Sequence, residues 1–363
     1  EGGEANALER LRERPQKADV MFRVGAIGIV ESDVHSSALL RRLHNTRGRT
    51  GARQLSKRQL FVCSPGSNHT DEDFRIDAQL KRDFIIIVLG YLAALGAAAV
   101  TVLMMDAHPI VEVLVADIVA TVVIFLCSAL CRNSSFYDAY WSVAPPVIAL
   151  WFAWLAVDAS TLRQLFVLIV VFAWAIRLTG NWAYGWQGMR HEDWRYENLA
   201  NTAGVLWWPL SLFGIHLFPT LLVFLGCLAL YPALAVGTAP VGWLDYLALA
   251  LGLGATALEF QADRELHQFR ARRTSTSEVL DTGVWAWCRH PNYLGEIGFW
   301  VSLFLFGWAA WDGVYPWSWL GPVAMLALFL GVSIPMIEKK LGADKPGYPA
   351  YQARTKQLIP GLF

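Results

Sequence analysis

From Phe84 onward the chain alternates between long apolar runs and short polar links. The runs lie near 84–105, 109–130, 140–158, 162–182, 208–236, 241–262, 292–311 and 317–337. Each is close to the ~20 residues a helix needs to cross a hydrocarbon layer ~30 Å thick. A chain in lipid must satisfy its own backbone polar groups, and no stretch shows the period-two pattern of a strand. The expected fold is therefore all-α: a polytopic integral membrane helical bundle of about eight spans, or seven.

Composition agrees, with 55% hydrophobic and only 17% charged residues, below the ~25% charge of an ordinary soluble domain. Formal net charge is zero, which removes any global argument for a nucleic-acid partner. With eight spans and an inside N-terminus, the links near 131–139, 183–207, 263–291 and 338–363 are inside and hold many arginines and lysines. The outside links hold only Arg163. The positive-inside rule then puts both termini in the cytoplasm, for a bacterial inner membrane or the endoplasmic reticulum. Residues 1–80 carry thirteen Lys and Arg and no run long enough to span. They read as a basic, disordered extension, separate from a membrane-embedded domain over 81–363. The five cysteines include no CxxC pair, and no cluster has the spacing of a metal set, so no metal is expected.

Four polar stretches sit at or inside the inner membrane boundary, where ionisable groups are costly and mark function. In YDAYWSVAPP (137–146), Asp138 and Ser142 are one turn apart; Asp138 suits a helix cap or a buried acid. In the stretch 174–197, Trp174, Arg177, Asn181, Tyr184 and Gly188 stripe one helix face, followed by His191, Glu192, Asp193, Arg195 and Tyr196. Glu259, Asp263, His267 and Arg270 stripe another face, which fits either surface ion pairs or a grip on phosphate. In RHPNYLGE (289–296), Pro291 suits the first turn of a helix whose free N–H groups, with Arg289 and His290, favour an anion. Asn292 and Glu296 lie one turn apart and deeper. Phosphate at the rim and hydroxyl or amide partners further in would suit a nucleotide.

RHPNYLGE before an apolar span, then a last span and the tail YPAYQARTKQLIPGLF, resembles the C-terminal half of the steroid 5-alpha-reductase family. Sterol reductases and isoprenylcysteine carboxyl methyltransferases carry related versions of this block. GNWAYGW and HEDWRY resemble a mostly bacterial branch of the reductases. The likeness covers roughly residues 83–363. It implies a helical membrane fold whose cofactor half lies at roughly 240–363, with a cytosol-facing NADPH site. The implied reaction is reduction of an enone in an apolar steroid, sterol or isoprenoid. It places Asp263, Arg270, Asn292 and Glu296 on cofactor-contacting positions. Arg177, Asn181, Arg195, Tyr196, His267, Arg289, His290 and Tyr293 complete the expected cofactor set. Steroid-reducing members usually carry Asn where Glu259 stands and Arg where His267 stands.

Hydride transfer to an enone leaves charge on the carbonyl oxygen, so an acid must donate to it. Asp138 and Tyr184 are the candidate donors, and Glu296 is the third candidate catalytic residue. Two other readings fit the residues: methyl transfer from S-adenosylmethionine to a lipid-linked thiol, and non-catalytic lipid binding.

Overall fold

The computed structural model describes residues 68–361 apart from 157, 312 and 314, with side chains from 78 onward. Most of the expected basic extension, 1–67, lies outside the described residues. Its last part does not fit the expectation, because helix α1 (Asn68–Met104) already begins there.

Among the described residues every regular element is helical. After α1 come α2 (Pro109–Cys131), α3 (Tyr140–Trp154), α4 (Thr161–Gly185), α5 (Trp194–Ala203) and α6 (Phe218–Cys227). The second half holds α7 (Trp243–Arg272), α8 (Pro291–Ala310), α9 (Leu320–Leu328), α10 (Ile334–Asp344) and α11 (Tyr348–Arg354). Among the described residues seven stretches are long and apolar enough to cross a membrane: Ala78–Met104, α2, α4, Trp194–Val236, α7, α8 and Leu320–Asp344. The chain is thus a multi-pass membrane protein. The run expected at 140–158 forms α3, whose 15 residues reach only ~22 Å at 1.5 Å per residue, short of a full crossing.

Two of the seven stretches are not uniform helices. Ser211–Leu217, Pro232–Val236 and Phe329–Ser333 are wound in the wider π form. Each has a proline close by: Pro219 and Pro335 open the α-helix that follows, and Pro232 opens its own segment. Proline has no N–H to offer the ladder, so the hydrogen bonds slip by one residue.

One end of the bundle is tied by a buried ion pair. Arg163 gives two hydrogen bonds to Asp245, at 2.6 and 3.0 Å, and others to the carbonyls of Ala239, Pro240 and Ala309. Arg163 was expected in an outer link; it lies in the first turn of α4 and is fully buried. Its rigid fork finds enough acceptors there to offset desolvation. Asp245 also accepts the Gly242 N–H at 2.9 Å, which fixes the start of α7.

At the other end the links knit together. The Asn133 amide donates to the carbonyls of Met189 and His191 at 2.8 and 2.9 Å. Asp83 of α1 accepts the Met189 N–H at 3.0 Å. Gly188 beside it has φ +87°, and a Cβ there would lie 2.9 Å from the Asp83 carboxylate, so this turn takes only glycine comfortably. The N–H groups of Arg289 and His290 donate to the carbonyls of Lys356 and Gln357, which straps the C-terminal tail onto the start of α8. Between the two ends α7 and α8 run in close contact. A Cβ on Gly295 would lie 2.4 Å from the Glu259 side chain and 2.7 Å from the Ala255 carbonyl. Small residues let helix backbones approach in this way.

Candidate functional site

The knitted end encloses a cavity of about 180 Å³. Ten of the sequence candidates line it: Asp138, Asn181, Arg195, Asp263, His267, Arg270, Arg289, His290, Asn292 and Tyr293. These ten come from four helices and two links. Asn181 comes from α4; Asp263, His267 and Arg270 from α7; Asn292 and Tyr293 from α8. The helical spacing read from the sequence holds, since positions three and four apart reach the same wall. His267 Nε2 lies 2.8 Å from Asn181 Oδ1 and joins α7 to α4 across it.

The cavity's cations do not all stand ready for a ligand. Arg195 makes a forked pair with Asp193, at 2.7 and 2.9 Å. Arg289 donates to Glu338 at 2.7 Å and to the carbonyls of Gln352 and Thr355. His290 Nε2 sits 3.0 Å from the same Glu338 oxygen, and its ring stacks on Tyr293. Arg289 and His290 were expected as phosphate ligands. Glu338 of α10 holds both, and they clasp the C-terminal tail. The sequence does not reveal this pairing, because Glu338 lies 49 positions along the chain from Arg289.

Beneath the cavity lies an ion cluster. Arg177 donates to Asp263 at 2.7 Å and to Glu259, and stands 3.9 Å from Glu296. Glu296 is 0% exposed and accepts indole N–H bonds from Trp174 and Trp300, each at 3.0 Å. Trp174 stacks on Phe299 with ring centroids 4.3 Å apart. Glu296 was expected to touch a ligand; it lies one layer below and organises the floor. The reading of 259–273 as surface ion pairs fails for Glu259 and Asp263, both buried.

The candidate acids separate. Tyr184 is 79% exposed and packs edge-on against His267, outside the cavity. Asp138 lines the cavity and accepts the Tyr196 hydroxyl at 2.9 Å. Tyr196, expected to touch cofactor, instead secures Asp138. The cap reading of Asp138 does not hold, since Ala139 occupies the cap position of α3 and no side chain caps it. Burial, reinforced by the Asp193 carboxylate, pushes the Asp138 carboxyl up to about 7, against the pull of Arg195 and the bonds from Tyr196 and Ser135. Near neutral pH this group is poised to give or take a proton.

Sequence reasoning missed a second acid. Asp117 of α2 accepts the Tyr140 hydroxyl at 3.0 Å, and its other oxygen is buried without a partner. Both residues line an apolar groove of about 710 Å³ between α1, α2 and α3. An acidic residue inside an apolar span was the available signal. Trp182 was missed too: it lines the polar cavity, and its indole N–H is buried without an acceptor. Among the described residues no group of three or more His, Cys, Asp or Glu could hold a metal ion.

The family model described as "Protein of unknown function (DUF1295)" matches residues 124–355. An uncharacterised protein of Schizosaccharomyces pombe is 26% identical, over 71% of this chain and 81% of its own length. No solved structure matches the chain.

Proposed function

The chain belongs to the DUF1295 family, and on that premise we propose that it is a membrane-embedded, NAD(P)H-dependent reductase. Its substrate is an apolar steroid-, sterol- or isoprenoid-like molecule, and the bond reduced is the C=C of an enone. The observation that carries this reading is the convergence of Asn181, His267, Arg270 and Asn292 on one polar cavity, back to back with an apolar groove.

The donor set fits a dinucleotide. Arg270 supplies positive charge at the wall for phosphate oxygens, and His267 adds an imidazole beside it. Asn181 and Asn292 supply amides, and the Trp182 indole N–H has no acceptor among the described residues. Trp141, Trp182 and Trp186 offer flat surfaces for stacking. A reduced nicotinamide bound there would supply hydride to the β-carbon of an enone.

The chain's own residues do the rest. α3 is the element common to both spaces: Tyr140 faces the groove, while Trp141 and Ser142 face the cavity. The substrate's carbonyl end therefore belongs at the first turn of α3. The groove's apolar walls take the greasy skeleton and exclude water, as ligand sites of this size do. On substrate binding the Tyr140 hydroxyl, which donates to Asp117 in the free protein, turns to the carbonyl oxygen and gives up its proton as charge develops there. Asp138 faces the polar cavity and secures Tyr196, so it serves the cofactor side.

Methyl transfer from S-adenosylmethionine is the competing chemistry. That cofactor has no phosphate for Arg270 to meet. The test uses the purified protein in detergent, with thermal shift read against NADPH, NADH and S-adenosylmethionine. Consumption of NADPH is then followed with a 3-oxo-4-ene steroid and with an isoprenoid enal. Stabilisation by a nicotinamide dinucleotide and turnover of one enone are expected. Stabilisation by S-adenosylmethionine alone would overturn the proposal.

A further inference from the structure

Two stretches far apart in the chain build one wall of the polar cavity. Ser135 and Asp138 reach it from the turn that follows α2, and Gln187, His191 and Asp193 reach it from the link between α4 and α5. Residues 186–193 form neither helix nor strand, so the shape of that link depends on hydrogen bonds from elsewhere in the fold. Asn133 supplies two of them.

α2 ends at Arg132, whose φ of 51° turns the chain back. Asn133 follows and is 3% exposed. Its Oδ1 accepts the Ser135 N–H at 2.8 Å and so caps the single turn Ser134–Tyr137. Its Nδ2 donates to the carbonyls of Met189 and His191, at 2.8 and 2.9 Å. Turned over, the amide would set its oxygen against two carbonyl oxygens and its NH2 against an N–H, so one orientation fits. Both amide protons and the amide oxygen are thus engaged by backbone groups, and stretches 56 and 58 positions apart are pinned together. Neighbouring residues complete the seam. The Ser134 N–H donates to Glu192 at 2.6 Å, and the Asp193 N–H to Ser135 Oγ at 3.1 Å. Asp193 in turn holds the Arg195 guanidinium.

Asn133 is itself not among the residues that line the cavity. We propose that Asn133 is a positioning residue for cofactor binding, setting His191, Asp193 and Arg195 against Ser135 and Asp138 across the wall. This rests on the reading of the cavity as the nicotinamide-dinucleotide site. A side chain that touches no ligand adds no contact. It raises affinity by ordering the wall beforehand, so that binding does not have to.

The test measures NADPH affinity by tryptophan fluorescence in detergent for wild type, Asn133→Ser and Asn133→Asp. Both variants keep an oxygen to cap the Ser135 N–H. Serine is too short to reach the two carbonyls, and ionised aspartate has no proton to give them. Kd for NADPH should rise about tenfold in each, the worth of one hydrogen bond. With a 3-oxo-4-ene steroid, KM for NADPH should rise alike, while kcat at saturating NADPH and KM for the steroid stay within about twofold. General loosening of the fold would not give that split. Hydrogen exchange over 186–193 should quicken in the variants and slow again when NADPH is added. An unchanged Kd in a folded variant overturns the proposal, as does a fall in kcat that matches the loss of affinity. If neither variant folds, Asn133 serves the fold alone and the proposal falls. A wild type that binds no nicotinamide dinucleotide refutes the reductase reading itself, whereas equal binding by wild type and variants refutes only the role of Asn133.

Discussion

Replacing Arg177 with methionine removes the cation on which Glu259, Asp263 and Glu296 converge. At an effective dielectric of about 20, the Coulomb attraction is about 6 kcal/mol at the 2.7 Å contact with Asp263 and about 4 kcal/mol at the 3.9 Å contact with Glu296. Desolvation of four buried groups consumes most of that gain, which is why such clusters add little net stability while intact. Removing one partner is different, because the desolvation cost remains and the attraction goes: about 3–5 kcal/mol is lost. At roughly 2–4 °C per kcal/mol, the unfolding midpoint should fall by about 6–20 °C. The assay is thermal unfolding in detergent, followed by circular dichroism. A double variant, Arg177→Met with Glu259→Gln, should recover part of the loss, because one uncompensated charge is gone. A midpoint unchanged in the single variant, or lower still in the double variant, would refute the reasoning.

Asp138 gives a pH-dependent result. Its carboxyl sits near 7 in the fold, above its unfolded value of about 3.9. Its stabilising contribution is complete below about pH 4 and is lost as pH rises through 7. Asp138→Asn cannot ionise and still accepts the Tyr196 hydroxyl. Its melting temperature should exceed that of the parent at pH 8 and approach it below about pH 4; a pH-independent difference counts against this. Gly295→Ala should force α7 and α8 apart, with a Cβ placed 2.7 Å from the Ala255 carbonyl, and cost about 1–3 kcal/mol. An unchanged midpoint would remove this close approach from the account. Glu296→Gln can accept through only one oxygen, so one of its two indole N–H bonds is lost. It should lower both turnover and stability, the latter by about 1–3 kcal/mol; turnover lost with full stability would restore Glu296 to direct contact with the ligand.

The helices were legible in the sequence because lipid imposes them. A ~20-residue apolar run has no other way to satisfy its backbone there. The stripes were legible for a related reason. Asn181, Asp263, His267, Arg270 and Asn292 follow helical spacing, and the cavity collects all five. What spacing does not carry is which charge finds which partner. Arg289 and His290 looked like anion ligands until Glu338 of α10 came to rest beside them. Glu296 looked like a contact residue until Trp174 and Trp300 closed over it. Tyr184 shares a stripe with Asn181 but points outward, because the stripe is wider than the wall it meets.

The sequence by itself determined where the chain is helical, that it belongs in a membrane and which helix faces are polar. Each of these depends on a residue and its neighbours within a few turns. Only the tertiary structure decided which polar atoms are spent on one another, where α3 divides cavity from groove, and that Asp117 backs Tyr140. A buried charge must be matched by whatever the fold brings near it, and partners such as Arg177 and Glu259, 82 positions apart, meet only when the helices pack.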